Sequence, residues 1–139
     1  MKFRYQKIPF YGHDPRKPFI ARPFIPVYLY GKIKKAASPY YALLDSGADT
    51  ILFPSDLAKA IGINDITNGK LELVIGIAGQ KAEIYFHAAE LEIVDDSRKL
   101  SVTVGFSDAI FIPILGRSFF RHFKSVIFSE PKEEVEFKN

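Results

Sequence analysis

The amino-acid sequence predicts an all-β sandwich or barrel interrupted by two short helices. Three observations lead there. Short runs rich in β-branched and aromatic residues recur along the chain. Turn residues (Gly, Pro, Asp, Asn, Ser) separate them. Only two brief segments carry a helical pattern.

Taken in order, the first 26 residues carry Pro9, Pro15, Pro18, Pro23 and Pro26. Proline cannot donate to a strand ladder, so 1–26 reads as an extended arm or edge segment. Phe10, Phe19, Ile20, Phe24 and Ile25 are apolar anchors that pack it down. Strand-like runs follow at Pro26–Tyr30, ending at Gly31, and at Tyr40–Leu44, running straight into Asp45. Leu71–Ile75 stops at Gly76, and Ala82–His87 follows at once. Leu91–Val94 and Leu100–Val104 flank the polar turn Asp95–Lys99. Phe111–Leu115 ends at Gly116, and a last pair, Lys124–Phe128 and Glu134–Phe137, flanks a turn with Pro131, giving a C-terminal hairpin over 124–137. One helix starts at Pro54 or Ser55 and is filled by Leu57–Ile61, with Gly62 placed as its C-terminal cap. The second runs from Arg117 to Phe123, its apolar face made by Phe119, Phe120 and Phe123. With no linker and no internal repeat, residues 1–139 read as one domain.

Composition narrows the function classes. The 139 residues are 47% hydrophobic and 25% charged, an ordinary globular balance with room for one core. There is no Cys, which excludes disulfides, thiolate catalysis and Cys-ligated metal. The net charge of +3 is spread over clusters such as Arg16-Lys17 and Lys32-Ile33-Lys34-Lys35, with no basic stripe on one element. It reads as a solvated surface, with no nucleic-acid partner expected. Met1–Tyr5 lacks the apolar core of a secretory signal, and no segment approaches 18 apolar residues, so a cytoplasmic protein without a membrane partner is expected. His13, His87 and His122 have no metal-ligand spacing, so neither metal nor other cofactor is expected. Asp95-Asp96 reads as a solvated turn.

Three local features carry chemistry. In Leu43-Leu44-Asp45-Ser46-Gly47-Ala48-Asp49-Thr50, an apolar strand delivers a carboxylate into a sharp turn. Asp-Ser-Gly by itself is a common turn tripeptide; the eight-residue string is far more specific. In Ile75-Gly76-Ile77-Ala78-Gly79, two glycines bracket an apolar pair between two strands. A plain hairpin would have that form, but an isoleucine at its tip suits a tip that closes over a ligand. In Ile114-Leu115-Gly116-Arg117, two apolar residues precede a glycine that opens a helix. That could be no more than a strand-to-helix joint.

In this order, over about Tyr41 to Phe123, the three features resemble the retropepsins, the single-domain aspartic proteases of retroviruses and their cellular relatives. The family pattern is apolar-apolar-Asp-(Thr or Ser)-Gly-Ala-Asp, then a glycine-rich flap, then apolar-apolar-Gly-Arg before a short helix. The added helix at Ser55–Ile61 and the hairpin after the last helix look more like stand-alone cellular or prokaryotic members than compact viral ones. The resemblance implies a closed or partly open acid-protease β-barrel with a flap, acting as a homodimer on peptide or protein substrate.

Carried over by motif position, Asp45 is the catalytic carboxylate. Ser46, Gly47, Ala48 and Thr50 support the active-site loop. Asp49 contacts substrate backbone and pairs with Arg117, which together with Gly116 braces the loop. Ile75, Gly76, Ile77, Ala78 and Gly79 form the flap. Ile112, Ile114 and Ile51 line side-chain pockets. Asp-Ser-Gly occurs once, so the second carboxylate must come from a second chain. Ser46 stands where Thr is commoner, and Ala78 where viral flaps often have Gly, which stiffens the tip. Two other readings stay open: a catalytically silent module that holds extended peptides, and a dimerisation domain of a larger scaffold.

Overall fold

Alternation of buried and exposed side chains builds the sheets. In β4 (Phe24–Tyr30), Ile25, Val27 and Leu29 point into the core, while Tyr28 and Tyr30 stay half-buried on the other face. The computed structural model describes residues 1–9 and 14–139; Phe10 and His13 lie outside them. The remaining strands are β1 (Lys2–Arg4), β2 (Gln6–Pro9), β3 (Phe19–Arg22), β5 (Tyr40–Leu44), β6 (Ile51–Pro54), β7 (Lys70–Ile75), β8 (Lys81–Ile93), β9 (Leu100–Ser107), β10 (Ile114–Leu115), β11 (Ser125–Ser129) and β12 (Glu134–Lys138). One α-helical turn, α1, spans Arg117–Phe120, and 3-10 segments span Ser55–Ile61, Ile66–Asn68 and Glu130–Lys132.

Six strands in the order β4-β5-β10-β6-β9-β8 close into a mixed barrel, because β8 also pairs with β4. Closure removes two edges that would otherwise need covering. The core inside holds Phe53, Phe106, Leu91, Ile93, Val104 and Leu115, all almost fully buried. Strand β7 pairs only with β8 and leaves the barrel as one arm of a long hairpin. A separate three-stranded sheet, β1-β12-β11, joins the two ends of the chain: Phe3 faces Val135 and Phe128 faces Val135 from the other side. It packs on the barrel through an aromatic cluster, with ring centroids of Phe119 and Phe123 5.4 Å apart and those of Phe123 and Phe137 4.8 Å apart.

The predicted all-β barrel is the observed one, with differences in detail. The runs Ala82–His87 and Leu91–Val94 are parts of one strand, β8. Ala88-Ala89-Glu90 has weak strand preference, but Thr103, Val102 and Ser101 of β9 pair with it and the ladder decides. Of the predicted strand Phe111–Leu115, only Ile114 and Leu115 pair. Pro113 restricts the residue before it and has no N–H to give, so Phe111 and Ile112 lie in an exposed loop. Strand β6 is absent from the sequence-based expectation because Thr50–Pro54 is short and looks like a continuation of the turn. The Pro-rich start is only in part an arm: it forms β1 and the β2–β3 hairpin, with Pro9 at the end of β2, but Phe24–Pro26 belong to barrel strand β4, where Pro26 stands opposite Tyr41 and its carbonyl accepts from the Val94 N–H. The Ser55–Ile61 helix is a 3-10 run, closed by Gly62 at φ 87°, the left-handed conformation that glycine adopts without strain. The last helix is shorter than Arg117–Phe123, ending in turns after Phe120, though Phe119 and Phe123 still bury its apolar face.

Candidate active site

The strand β10 lies between β5, which runs parallel to it, and β6, which runs antiparallel. That arrangement brings the Asp45 turn against the Gly116 joint, although 71 positions separate Asp45 from Gly116. Backbone bonds zip the two together. Asp45 N–H donates to Leu115 C=O (3.0 Å), Gly116 N–H to Thr50 C=O (3.1 Å), Arg117 N–H to Ala48 C=O (2.8 Å) and Ser118 N–H to Asp49 C=O (3.0 Å). The turn is therefore held on both limbs by a second piece of chain.

Gly116 is required by this closeness. A Cβ there would stand 2.4 Å from the Thr50 carbonyl oxygen and 2.6 Å from that of Ala48. Within the turn, the Gly47 N–H donates to Asp45 Oδ1 (2.9 Å), and the Ala48 N–H to the Asp45 carbonyl (3.2 Å). The first bond is an Asx-type closure that fixes how the carboxylate is aimed. Asp45 is half-buried, and Ser46 and Gly47 are exposed beside it.

Arg117 forms an ion pair with Asp49, its Nη2 hydrogen-bonded to Asp49 Oδ1. The two side chains are 61% and 75% exposed, so in the single chain the pair adds little stability. The bracing is done by the backbone bonds around it. Ser118 Oγ is buried and has no hydrogen-bond partner among the described residues.

The β7–β8 hairpin is the third component. Its turn is closed by Gly79 N–H to Gly76 C=O (2.9 Å) and Gly76 N–H to Gln80 C=O (2.9 Å), with Gly79 at φ 79°. Ile77 and Ala78 at the tip are exposed, Ile77 completely. Leu71, Leu73 and Ile75 occupy one face of β7 by the period of two, and all three are exposed. An apolar row on an edge strand is unusual for a surface left to water. The loop between β9 and β10 also exposes apolar side chains, with Phe111 and Ile112 exposed and Ile114 half-buried at its end. That loop is tethered at its start, where the Ala109 N–H donates to Ser107 Oγ (3.1 Å) and the Ser55 hydroxyl donates to the Asp108 carboxylate. Ile51 is 1% exposed and pairs with Leu115 and Val104, and it borders a cleft of about 420 Å³ together with Thr50, Ser118 and His122. Among the described residues no cluster of His, Asp or Glu is disposed to hold a metal ion.

No protein-family model matches the chain, and no curated protein sequence matches it. Its backbone does match solved structures. A retropepsin-like aspartic protease from Rickettsia conorii superposes with a TM-score of 0.64 at 14% identity, covering 99% of this chain and 89% of that one. The retroviral protease-like domain of Ddi1 from Leishmania major gives 0.57 at 13% identity, over 86% and 90%. The EIAV protease, in complex with the inhibitor HBY-793, gives 0.55 at 20% identity, over 80% and 92%. This is the retropepsin fold.

At such identities the retropepsin likeness speaks for the fold, and the chemistry rests on the residues. Sequence reasoning singles out Asp45, Asp49, Gly116 and Arg117, which the fold brings together, and Ile75, Ile77 and Ile112, which it exposes. It passes over Phe111, Leu71 and Leu73, exposed apolar residues on the β9–β10 loop and on the hairpin. The signal is present in Leu71-x-Leu73-x-Ile75, an alternation that assigns one face of β7 but does not say which face is covered. The Ser55–Asp108 contact joins residues 53 positions apart and has no local signal. No helix among the described residues is long and apolar enough to cross a membrane.

Proposed function

We propose that the chain is one subunit of a homodimeric aspartic endopeptidase, with Asp45 of each copy supplying half of the catalytic pair. The observation that carries this reading is the Asp45-Ser46-Gly47 turn, zipped to Leu115-Gly116-Arg117-Ser118 by four backbone hydrogen bonds. A rigidly mounted, half-buried carboxylate in a chain that also carries an exposed apolar hairpin supports peptide hydrolysis without metal or covalent nucleophile.

The chemistry asks for two such carboxylates about 3 Å apart, which cannot both ionise, so they hold one proton between them. The pair titrates as a unit. The ionised member takes a proton from water as the oxygen attacks the scissile carbonyl carbon, and the neutral member protonates the carbonyl oxygen. When the tetrahedral diol collapses, one diol hydroxyl gives its proton to the ionised carboxylate, the C–N bond breaks, and the amine leaves with the proton of the neutral one, so the pair ends with the single proton it began with. One Asp45 per chain makes a twofold dimer part of the mechanism. Substrate would lie extended between the hairpin, which acts as a flap with Ile77 at its tip, and the floor formed by Ile112, Ile114 and the turn, with Asp49 contacting its backbone. Gly47 leaves room for that backbone, and Ser46 would steady the pair across the interface.

The test is cleavage of an unfolded protein across about pH 3 to 7 by the wild-type chain and by Asp45→Asn. Loss of at least about 100-fold in rate is expected for the variant, the scale of a general acid–base group. Equal cleavage by both proteins would overturn the assignment.

A further inference from the structure

Basic residues that look scattered along the sequence are gathered by the β2–β3 hairpin. Residues 6–22 hold Lys7, Arg16, Lys17 and Arg22 against one acid, Asp14. Of 19 basic and 16 acidic residues in all, that leaves 15 of each in the rest of the chain, so the whole net charge of +3 lies in this hairpin. Arg16 is engaged by Asp14, its Nε and Nη2 donating to the two carboxylate oxygens (3.0 and 3.3 Å). Lys7, Lys17 and Arg22 have no ion-pair partner among the described residues, and both lysines are exposed.

The hairpin is rooted beside the candidate active site. Its first limb leaves from Tyr5, which is buried, donates its N–H to the Glu133 carbonyl (2.8 Å) and donates its hydroxyl to the Glu130 carboxylate (2.8 Å). Its second limb enters Pro23, whose carbonyl accepts the Leu44 N–H (3.0 Å), one residue before Asp45. Phe24 stands opposite Leu43, so β3 leaves the barrel at the end of β5 that delivers Asp45, and Arg22 falls at the register position of Asp45. Between these roots a four-pair ladder, from Gln6–Arg22 to Pro9–Phe19, holds the arm in shape. By the period of two, Lys7, Pro9 and Phe19 share one face, and all three are exposed, Phe19 by 57%. Ile8 and Ile20, on the other face, are half-buried. The outward face therefore sets a cation near an aromatic ring, with Lys17 two residues beyond Phe19. At about 3.3 Å per residue, Lys7 and Lys17 stand roughly 6 and 17 Å from Arg22 along the hairpin, a reach of about two to five residues of extended peptide.

We propose that the β2–β3 hairpin is a secondary binding site for acidic peptide segments, so that the enzyme favours substrates with Asp or Glu about two to five residues from the bond that is cut. This rests on the endopeptidase reading above and names its substrate class. Three unpaired cations on so short an arm suit a few carboxylates; a duplex nucleic-acid site neutralises about six or more phosphates.

Binding is read on full-length Asp45→Asn, which separates it from cleavage. The probes are fluorescein-labelled peptides that share one apolar core and end in a short run of Glu, of Ser or of Lys. Fluorescence anisotropy is expected to rank them Glu, Ser, Lys, with the Glu peptide about tenfold tighter than the Ser peptide at low salt and the gap closing near about 0.5 M salt. Lys7→Glu with Lys17→Glu should abolish the preference for Glu. Lys32→Glu with Lys34→Glu makes the same charge change on exposed residues past the far end of β4, and should keep it. Equal affinity for the three peptides overturns the proposal, as does a Glu preference that survives the change at Lys7 and Lys17. An oligonucleotide of matching charge that binds tighter than the Glu peptide overturns it too, in favour of nucleic acid. Cleavage of the same peptides by the chain with Asp45 intact separates the two readings. There the Glu peptide should gain about tenfold in kcat/KM over the Ser peptide, through KM. Glu-selective binding without cleavage keeps the acidic-peptide site and removes the endopeptidase. Cleavage of all three at equal kcat/KM does the reverse.

Discussion

Replacing Gly116 by Ala adds one methyl group at the tightest point of the candidate site. The residue has φ −87° and ψ −167°, angles open to any amino acid, so the cost is purely steric. The new carbon would lie 2.4 Å from the Thr50 carbonyl oxygen, 2.6 Å from that of Ala48 and 2.9 Å from the Ala48 carbonyl carbon. All three are backbone atoms, so no side chain can rotate away. To reach an ordinary contact of about 3.4 Å the two loops must separate by roughly 1 Å. That stretches the Gly116–Thr50 bond from 3.1 Å and the Arg117–Ala48 bond from 2.8 Å beyond useful length. Overpacking of this kind costs about 1–3 kcal/mol, and each buried bond lost adds about 1 kcal/mol, giving roughly 3–5 kcal/mol in all. Because Asp45 hangs from the same loop, a 1 Å shift would also cut the catalytic rate about 100-fold in whatever protein still folds. Urea unfolding of Gly116→Ala beside Gly79→Ala measures the first effect. A methyl group at Gly79 would meet no atom within 4 Å, but the residue sits at φ 79°, so its alanine variant should lose only about 1 kcal/mol. If Gly116→Ala unfolds within about 0.5 kcal/mol of wild type, the zipped-loop account of the site is wrong.

Arg117→Ala should reduce stability by no more than about 1 kcal/mol, because the pair with Asp49 is solvent-exposed, yet reduce peptide cleavage by a larger factor; thermal melting with a cleavage assay separates the two. Ile77→Asp should leave the melting temperature unchanged, as the side chain touches only solvent, while kcat/KM falls about tenfold or more through lost closure over substrate. Asp96 accepts side-chain hydrogen bonds from Arg98, which hold its carboxyl below the usual carboxylate range, with burial opposing and the Arg98 backbone N–H assisting. A depressed folded-state value stabilises the protein above the unfolded carboxylate range, and that stability is lost as pH falls through the folded one. Asp96→Asn should therefore lower the melting temperature by about 2–4 °C at pH 7 and converge with wild type near pH 2, as followed by circular dichroism.

The catalytic candidates are legible because they sit in strings whose local chemistry is unusual: Leu43-Leu44-Asp45-Ser46-Gly47-Ala48-Asp49 and Ile114-Leu115-Gly116-Arg117. Barrel strands with clean alternation, such as β4 and β5, are legible for the same reason. Strand β6 is not, since four residues after a turn carry too little pattern. Nor is the true extent of β8, where Ala88 and Ala89 argue locally against a strand and lose to the pairing with β9. Ile51 is legible as a cleft residue because it follows the turn, but its almost complete burial in β6 is set by the pairing with β9 and β10. The β1–β12 pairing is invisible, because nothing near Lys2 announces a partner 134 positions away, and Phe10 and His13 lie outside the described residues.

By itself, the sequence determined which groups are available for chemistry. It has one Asp-Ser-Gly turn, no cysteine, and glycines where loops must turn or touch. Those are properties of residue types and short spacings, which act over a few bonds. Only the tertiary structure decided that Gly116 lies against the carbonyls of Ala48 and Thr50, that Leu71, Leu73 and Ile75 face outward, and that β11 keeps a free edge among the described residues. Those depend on which strands pair, and pairing is set by the total burial and hydrogen bonding of the closed barrel, which no local stretch of chain contains.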